Sequence, residues 1–194
     1  MTRLSSFPYY AAGIVLALGA LTLSACSGGN SPDPDAKMVI SPCLAFTEAD
    51  ANKMFGTQLT AFKLSGDGAV SKVCEFTDSK GTNYALIKLK RAGKIKDPVA
   101  DLKADAAETQ QIFKNNIRPI VIHPADGFGP GAYFVNNTTG PSSSSVQLNA
   151  IQEGYKLLVQ VNNPTDFATG EKQATQIMNQ ILTNIKNGSA MQAL

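Results

Sequence analysis

The sequence predicts one α+β domain, in which a single twisted, mainly antiparallel sheet has its helices packed on one face. Two groups of segments have strand character, and turn-forming residues separate the segments within each group. Segments with helical periodicity precede, divide and follow these groups. One sheet with helices on one face buries the apolar stripe of every element. The chain has 194 residues, 43% of them hydrophobic, which is enough for one core.

The first helix is predicted within CLAFTEADANKMFGTQL, residues 43–59. Thr47, followed three positions later by Asp50, approximates a capping box, and Gly56 is typical of the position after a helix end. Three apolar segments follow, LTAFKL, VSKVCEF and NYALIKLK, separated by the turn-forming sequences SGDG and DSKGT. This pattern predicts three consecutive antiparallel strands.

A second helix is predicted to begin at Asp97, the N-cap, with Pro98 in its first position. Its apolar face is formed by Val99, Leu102, Ala106 and Phe113. A short strand, IRPIVI, follows and ends at the Pro/Gly-rich corner HPADGFGPG. The segment AYFVNN then predicts the next strand.

The last strand pair is predicted to be a hairpin with its turn at Glu153-Gly154. Apolar and polar residues alternate on both sides of that turn, as expected for strands with one buried face. A final helix is predicted from about Asp166 or Thr169 to Lys186. Its apolar stripe consists of Ala174, Ile177, Met178, Ile181, Leu182 and Ile185.

The N-terminus has the three parts of a bacterial export signal. Arg3 supplies a positive charge, YYAAGIVLALGALTL is apolar, and Leu23-Ser24-Ala25-Cys26 resembles the lipobox of bacterial lipoproteins. The thiolate of such a cysteine is the nucleophile that becomes linked to diacylglycerol. We therefore expect diacylglycerol and an N-acyl chain such as palmitate on Cys26, and no other cofactor. Ordinary secretion and a retained membrane helix are the alternatives, but the apolar stretch is shorter than the ~20 residues that a spanning helix needs.

These features divide the chain into a signal peptide (1–25), a lipidated cysteine with a flexible tether (26–40), a globular domain (41–188) and a disordered tail (189–194). The tether is rich in Ser, Gly, Pro, Asn and Asp and has no periodic apolar positions. We expect the protein on the outer face of the cell membrane. If the cell has an outer membrane, Ser27 after the lipidated cysteine favours that membrane instead.

Cys43 and Cys74 remain once Cys26 is assigned to lipid. An oxidising compartment favours a disulfide between them, with two free buried thiols as the alternative. A metal site is not predicted, because neither cysteine has a Cys or His neighbour at ligand spacing and His123 is the only histidine.

No catalytic residue is predicted, and the chain is expected not to be an enzyme. His123 would need an orienting carboxylate, and its own segment offers only Asp126. The serines at 142–145 form no GxSxG elbow. The acids of the second predicted helix alternate with lysines, as on a solvated face. The net charge of +2 gives no reason to expect nucleic acid as a partner.

One basic cluster stands out at the end of a predicted strand, in KLKRAGKIK. One interpretation is a solvated strand edge that discourages aggregation. The other is a patch that contacts anionic lipid headgroups or wall polymer. Its residues are Lys88, Lys90, Arg91, Lys94 and Lys96.

Several segments together resemble a family of small actinobacterial lipoproteins with a domain of unassigned activity. SPCLAFTEADANKMFG, VCEFTD and DGFGPGAYF match the family's Pro-Cys-x-x-(Leu/Phe) helix opening, its later Cys-x-aromatic and its Gly-rich corner. The resemblance implies that Cys74 is the disulfide partner of Cys43, and it implies an envelope lipoprotein without assigned catalytic residues. The family usually has Trp where this chain has Phe76.

The sequence therefore predicts a non-catalytic cell-envelope lipoprotein that is held on the membrane by its lipid anchor and serves as a binding or interaction module. A sheet face or a helix–sheet groove would bind an envelope protein or an apolar ligand. One alternative is a structural surface lipoprotein without a ligand. A less favoured one is an envelope hydrolase, which needs two carboxylates facing one cleft.

Overall fold

The computed structural model describes residues 38–65, 71–93, 95–114, 120–140 and 143–193. All of them belong to one compact unit, Pro34–Leu194. The predicted signal peptide, the lipidation site Cys26, most of the predicted tether and Lys94 lie outside the described residues.

The order of helices and strands follows the predicted one, with one short strand added at each end and a short helix, α1, added before the predicted first helix. The helices are α1 (Pro42–Ala45), α2 (Glu48–Phe55), α3 (Pro98–Ile112) and α4 (Phe167–Lys186). The strands are β1 (Met38–Ile40), β2 (Thr60–Ser65), β3 (Ser71–Thr77), β4 (Asn83–Arg91), β5 (Val121–Pro124), β6 (Tyr133–Gly140), β7 (Ser143–Gln152), β8 (Tyr155–Asn162) and β9 (Met191–Ala193).

Seven of these strands form one sheet in the order β2-β3-β4-β8-β7-β6-β5, and every pair in it is antiparallel. The β2–β4 group and the β5–β8 group meet where β4 pairs with β8. The α+β class and the mainly antiparallel sheet are therefore confirmed.

The first face of the sheet carries the main hydrophobic core. Ile87, Leu148 and Val159 point to this face and are fully buried against the apolar stripe of α4. The α1–α2 region covers the other half, where the rings of Phe46 and Phe76 meet edge to face at 5.5 Å. The contact with α4 is so close at Gly170 that an added Cβ would lie 2.6 Å from Val146.

Helix α3 lies on the second face, so the prediction that all helices share one face holds for α1, α2 and α4 and is wrong for α3. Side chains alternate along a strand, and Tyr133 and Val135 of β6 point away from the core that contains Phe134. They form a separate small cluster with Leu102 of α3. The physical reason is that β6 begins with three apolar residues in a row, Tyr133 to Val135, so this part of the strand must be covered on both faces.

The predicted tether and the predicted disordered tail both need correction at their ends. Strand β1 lies within the predicted tether, and it pairs in antiparallel fashion with β9, within the predicted tail. The Ser41 N–H donates to the Ala190 carbonyl at 2.9 Å and extends this pairing. Each strand is only three residues long, so neither shows a periodic pattern in the sequence.

The predicted helix starts are confirmed in detail. The Thr47 hydroxyl accepts from the Asp50 N–H while the Asp50 carboxylate accepts from the Thr47 N–H, which is a complete capping box. Gly56 follows α2 at φ 65°, in the left-handed region. Asp97 and Asp166 cap α3 and α4 through their side-chain oxygens.

The predicted disulfide between Cys43 and Cys74 is present, with 5.3 Å between the two Cα atoms. It joins α1 to β3, and Cys74 is completely buried in the main core. The covalent bond therefore fixes the α1–α2 region to the sheet on the side away from β5 and β6.

We predict that the double substitution Cys43→Ala/Cys74→Ala lowers the free energy of unfolding by about 3–4 kcal/mol, because the bond closes a loop with a sequence separation of 31. Chemical denaturation of the oxidised protein and the variant measures the difference. Reduction of the unsubstituted protein is the control and should give a similar loss. An unchanged unfolding midpoint in the variant would contradict the prediction.

Candidate functional site

The most sharply defined cavity lies between α3 and the second face of the sheet. We call it the α3 groove. It encloses about 320 Å³ and is lined by α3 and by strands β4, β6, β7 and β8. Its polar lining on the strands includes Lys88, Lys90, Tyr133, Asn149 and Lys156.

Strand alternation explains why these polar side chains meet in the groove. Ile87 and Leu89 are buried on the first face, so Lys88 and Lys90 point to the second. In β7, Leu148 is buried in the main core and Asn149 faces α3. Each polar residue of the groove thus lies next to a core residue that fixes its backbone.

Lys156 is the residue that joins the sheet to α3. Its ammonium nitrogen lies 2.7 Å from Asp101 Oδ2 and forms a second ion pair with Asp105. Burial lowers the pKa of Lys156, but hydrogen bonds and charge attraction from the two aspartates outweigh burial and hold the pKa above its usual value. Lys156 is therefore a fixed cation, and its two aspartate partners more than offset its charge.

Lys90 lies directly opposite Lys156 in the β4–β8 register. Like charges in this position repel each other and destabilise a sheet. The aspartates offset the charge of Lys156, whereas neither Lys90 nor Lys88 forms an ion pair with any residue that the structure describes. Both are exposed. The groove therefore has two cations available to an anion, with Glu108 as an acidic residue on its α3 side.

Tyr133 and Asn149 provide buried hydrogen-bonding groups in the same groove. They are only 6% and 8% exposed, respectively. Burial raises the pKa of the Tyr133 hydroxyl and the nearby Asp105 carboxylate raises it further, so the hydroxyl stays protonated at neutral pH. The Thr109 side chain lowers this pKa, but by less than burial and Asp105 raise it. The groove therefore combines exposed cations at β4 with buried polar groups at β6 and β7.

A row of amide side chains continues from the groove across the second face. Gln147 Nε2 donates to Gln160 Oε1 at 2.9 Å, and Gln160 Nε2 donates to Asn162 Oδ1 at 2.6 Å. Asn162 Nδ2 then donates to Asn83 Oδ1 at 3.0 Å. This part of the second face is polar and internally hydrogen-bonded, unlike the first face.

Two members of the predicted basic cluster lie in the groove. Arg91 follows at the end of β4 opposite Tyr155, and alternation turns it away from Lys90. Lys96 is exposed in the connection before α3. The structure adds Lys156, which the sequence analysis missed because it belongs to a distant hairpin. Lys156 directly precedes the alternating apolar residues Leu157 and Val159. This pattern could have indicated that Lys156 lies on the face opposite to theirs.

A second cavity, of about 490 Å³, lies between α2 and α4. Its polar lining comes from the exposed ends of helical side chains such as Lys53, Lys172 and Gln176. Such long side chains are free to rearrange, whereas Tyr133 and Asn149 are fixed by burial. The α3 groove is therefore the better-defined site.

His123 has a carboxylate partner that the sequence did not indicate. Its Nε2 lies 3.0 Å from Glu171 Oε1 of α4, and the buried Asn136 amide donates to the same oxygen at 2.6 Å. The described polar contacts of His123 are to Glu171, Asn136 and the Pro124 carbonyl, and none is a hydroxyl or thiol. These contacts join the β5–β6 edge to α4. Asp126, the partner considered from sequence, is not among them.

The described residues contain no group of three or more His, Cys, Asp and Glu side chains that could hold a metal ion. In that same part of the chain, no helix is long and apolar enough to cross a membrane.

Comparison with known proteins found no matching family model, no matching curated protein and no matching solved structure. The resemblance to actinobacterial lipoproteins therefore stays a prediction from the motifs.

We predict that Lys156→Gln lowers the free energy of unfolding by about 1–2 kcal/mol, because it leaves Asp101 and Asp105 facing each other without their cation. Chemical denaturation measures the change. Lys103→Gln removes an exposed lysine of α3 that has no described ion pair, and it should change stability by less than about 0.5 kcal/mol. Equal effects of the two substitutions would show that the ion pairs do not hold α3 on the sheet.

Proposed function

We propose that this protein is a lipid-anchored, non-catalytic binding module of the cell envelope and that the α3 groove is its ligand site. The observation that carries the ligand site is the pair Lys88 and Lys90. Both side chains line the α3 groove. Lys90 lies opposite a third lysine, Lys156, and Lys88 lies near it. Neither Lys88 nor Lys90 has a carboxylate partner among the described residues.

The position outside the cytoplasm is supported by two features of the chain. The apolar N-terminal segment ends at the lipobox-like Leu23-Ser24-Ala25-Cys26. The disulfide between Cys43 and Cys74 fits an oxidising compartment. We place the anchor on the outer face of the cell membrane, or on an outer membrane if the cell has one.

The proposed ligand is a small polar molecule that carries an anionic group. Lys88 and Lys90 would receive the charge, and the hydroxyl of Tyr133 and the amide of Asn149 offer hydrogen bonds deeper in the groove. Ile112 and Leu158 add limited apolar surface. This lining fits a polar anion better than the apolar ligand that the sequence suggested, because buried polar groups would lose hydrogen bonds to an apolar one.

The pairing of acids in the groove supports a binding role over hydrolysis. A glycosidase mechanism needs two carboxylates free to act across a cleft. Asp101 and Asp105 both pair with Lys156, which leaves Glu108 as the unpaired carboxylate of the groove lining within the described residues.

We predict that Cys26→Ser abolishes lipid attachment, because serine lacks the thiolate that accepts diacylglycerol. Labelled palmitate incorporation and mass spectrometry of the N-terminal peptide, in a host that processes bacterial lipoproteins, measure the outcome. Cys43→Ser is the control and should keep the label. Label on the Cys26→Ser protein, or none on the unsubstituted protein, would contradict the proposed anchor.

We predict that inorganic phosphate, used as a probe anion, binds in the α3 groove. Titration followed by ¹⁵N NMR should give saturable shifts at the amides of Lys88, Lys90 and Asn149. The substitution Lys88→Gln/Lys90→Gln should abolish these shifts because it removes both free cations.

The matched control for this titration is Lys53→Gln/Lys172→Gln, which removes two exposed lysines from α2 and α4. It should leave the groove shifts unchanged. Shifts spread evenly over the surface, or equal loss in both double variants, would exclude the groove as the anion site.

A further inference from the structure

The β2–β3 hairpin leaves apolar side chains exposed on the second face of the sheet. Phe62 is 50% exposed and Leu64 is 45% exposed, and both lie on this face of β2. Across the pair they meet Glu75 and Val73 of β3. Helix α3 packs against β6 and β7 at the other end of the face and does not cover them.

This apolar pair lies on an edge strand, where exposed hydrophobic residues are unfavourable. Natural proteins protect sheet edges with charges, prolines or a covering element, since an uncovered apolar edge invites association. The edge backbone of β2 is partly protected, because the Ala61 N–H donates to the Glu48 carboxylate at 3.1 Å. Within the described part of the chain, no element covers the side chains of Phe62 and Leu64 in this way.

Two lysines with no described ion pair lie on the same hairpin, on its first-face side. Lys63 pairs in register with Cys74, and Lys72 lies two positions before Cys74 on the same strand face. Burial lowers the pKa of Lys72 and the nearby charge of Lys63 lowers it further, while Glu75 opposite Phe62 and Glu48 at the β2 edge are the acidic residues of this hairpin region. Neither lysine forms an ion pair with a residue in the described part of the chain.

The hairpin also lies beside the start of the described chain. Lys63 Nζ donates to Gln192 Oε1 at 2.8 Å, and Gln192 of β9 pairs with Val39 of β1. Only twelve positions separate Cys26 from Met38 in the sequence. A connection of this length reaches at most about 40 Å, so a lipid on Cys26 would keep β1, its partner β9 and the contact of β9 with β2 within about that distance of the bilayer.

We propose that the β2–β3 hairpin docks on the anionic lipid surface of the membrane that carries the anchor. Phe62 and Leu64 enter the boundary between headgroups and acyl chains, and Lys63 and Lys72 extend to lipid phosphates. Because β2 is the edge strand, an edge-on approach brings side chains from both faces to one surface, and long lysine side chains reach headgroups from either face. The proposal relies on the proposed anchor only to bring the hairpin near the bilayer.

The absence of tryptophan from the chain allows a direct test. Phe62→Trp places a single fluorophore on the hairpin, and Val121→Trp places one at a similarly exposed site, 54%, on the opposite edge strand β5. Both proteins are used with their lipid anchor, in vesicles that contain brominated phosphatidylglycerol. We expect blue-shifted emission and strong bromine quenching for Trp at 62 and little of either for Trp at 121.

Charge dependence provides the second arm of the test. In the Phe62→Trp protein, Lys63→Gln/Lys72→Gln should lower the ratio of docked to undocked protein about 30-fold, the equivalent of about 1 kcal/mol per lysine. High salt should act in the same direction. Lys53→Gln/Lys172→Gln, which removes the same charge from the helical side, should leave quenching unchanged.

The test distinguishes a failure of the docking proposal from a failure of the proposed lipid anchor. Mass spectrometry before the vesicle measurement establishes whether Cys26 carries lipid, so a missing anchor is detected independently. Given the anchor, equal quenching at positions 62 and 121 would overturn the docking, as expected if the hairpin binds a protein partner instead. Equal effects of the two lysine pairs would also overturn it, because charge attraction at the hairpin would then have no part.

Discussion

The pairing of β4 with β8 is the constraint on which the rest of the structure depends. It joins the β2–β4 group to the β5–β8 group and so makes one sheet of seven strands. In this register Ile87 lies opposite Val159 on the first face, and Lys88 lies opposite Leu158 on the second. A slip of one residue would exchange the faces and put Lys88 in the core in place of Ile87. The burial of Ile87 therefore also determines where the lysines of the groove point.

The fold was predictable wherever the signal is local. The capping box at Thr47, the cap at Asp97 and the turn at Glu153-Gly154 each depend on residues within four positions of one another. The pairing of β1 with β9 depends on residues at opposite ends of the chain, and three-residue strands show no period. The face that α3 covers could not be predicted either. Phe134 and its neighbour Val135 are both apolar, so the sequence does not indicate which of the two faces the main core.

The candidate site was predictable only in part, for a related reason. Lys88 and Lys90 were found because they are close in sequence and two positions apart, which in a strand places them on one face. The same closeness grouped them with Arg91, which alternation turns away from Lys90, so the structure does not bring Arg91 into the groove. Lys156 was missed because its position opposite Lys90 follows from the β4–β8 register, which the sequence does not state.

The two faces of the sheet differ in how much their side chains contribute to the stability of the fold. On the first face, the apolar residues of the main core are buried against α4 and the α1–α2 region. The second face has two features that do not add to stability, the cations Lys88 and Lys90, which form no ion pair with a described residue, and the exposed pair Phe62 and Leu64. Features that do not favour stability are expected mainly at functional sites, because the binding of a ligand or partner there can compensate for them. Both lie on the second face, while the first face contains the main core, so the contacts that we propose outside the fold involve the second face and the β2 edge, where Lys63 and Lys72 reach round from the first face.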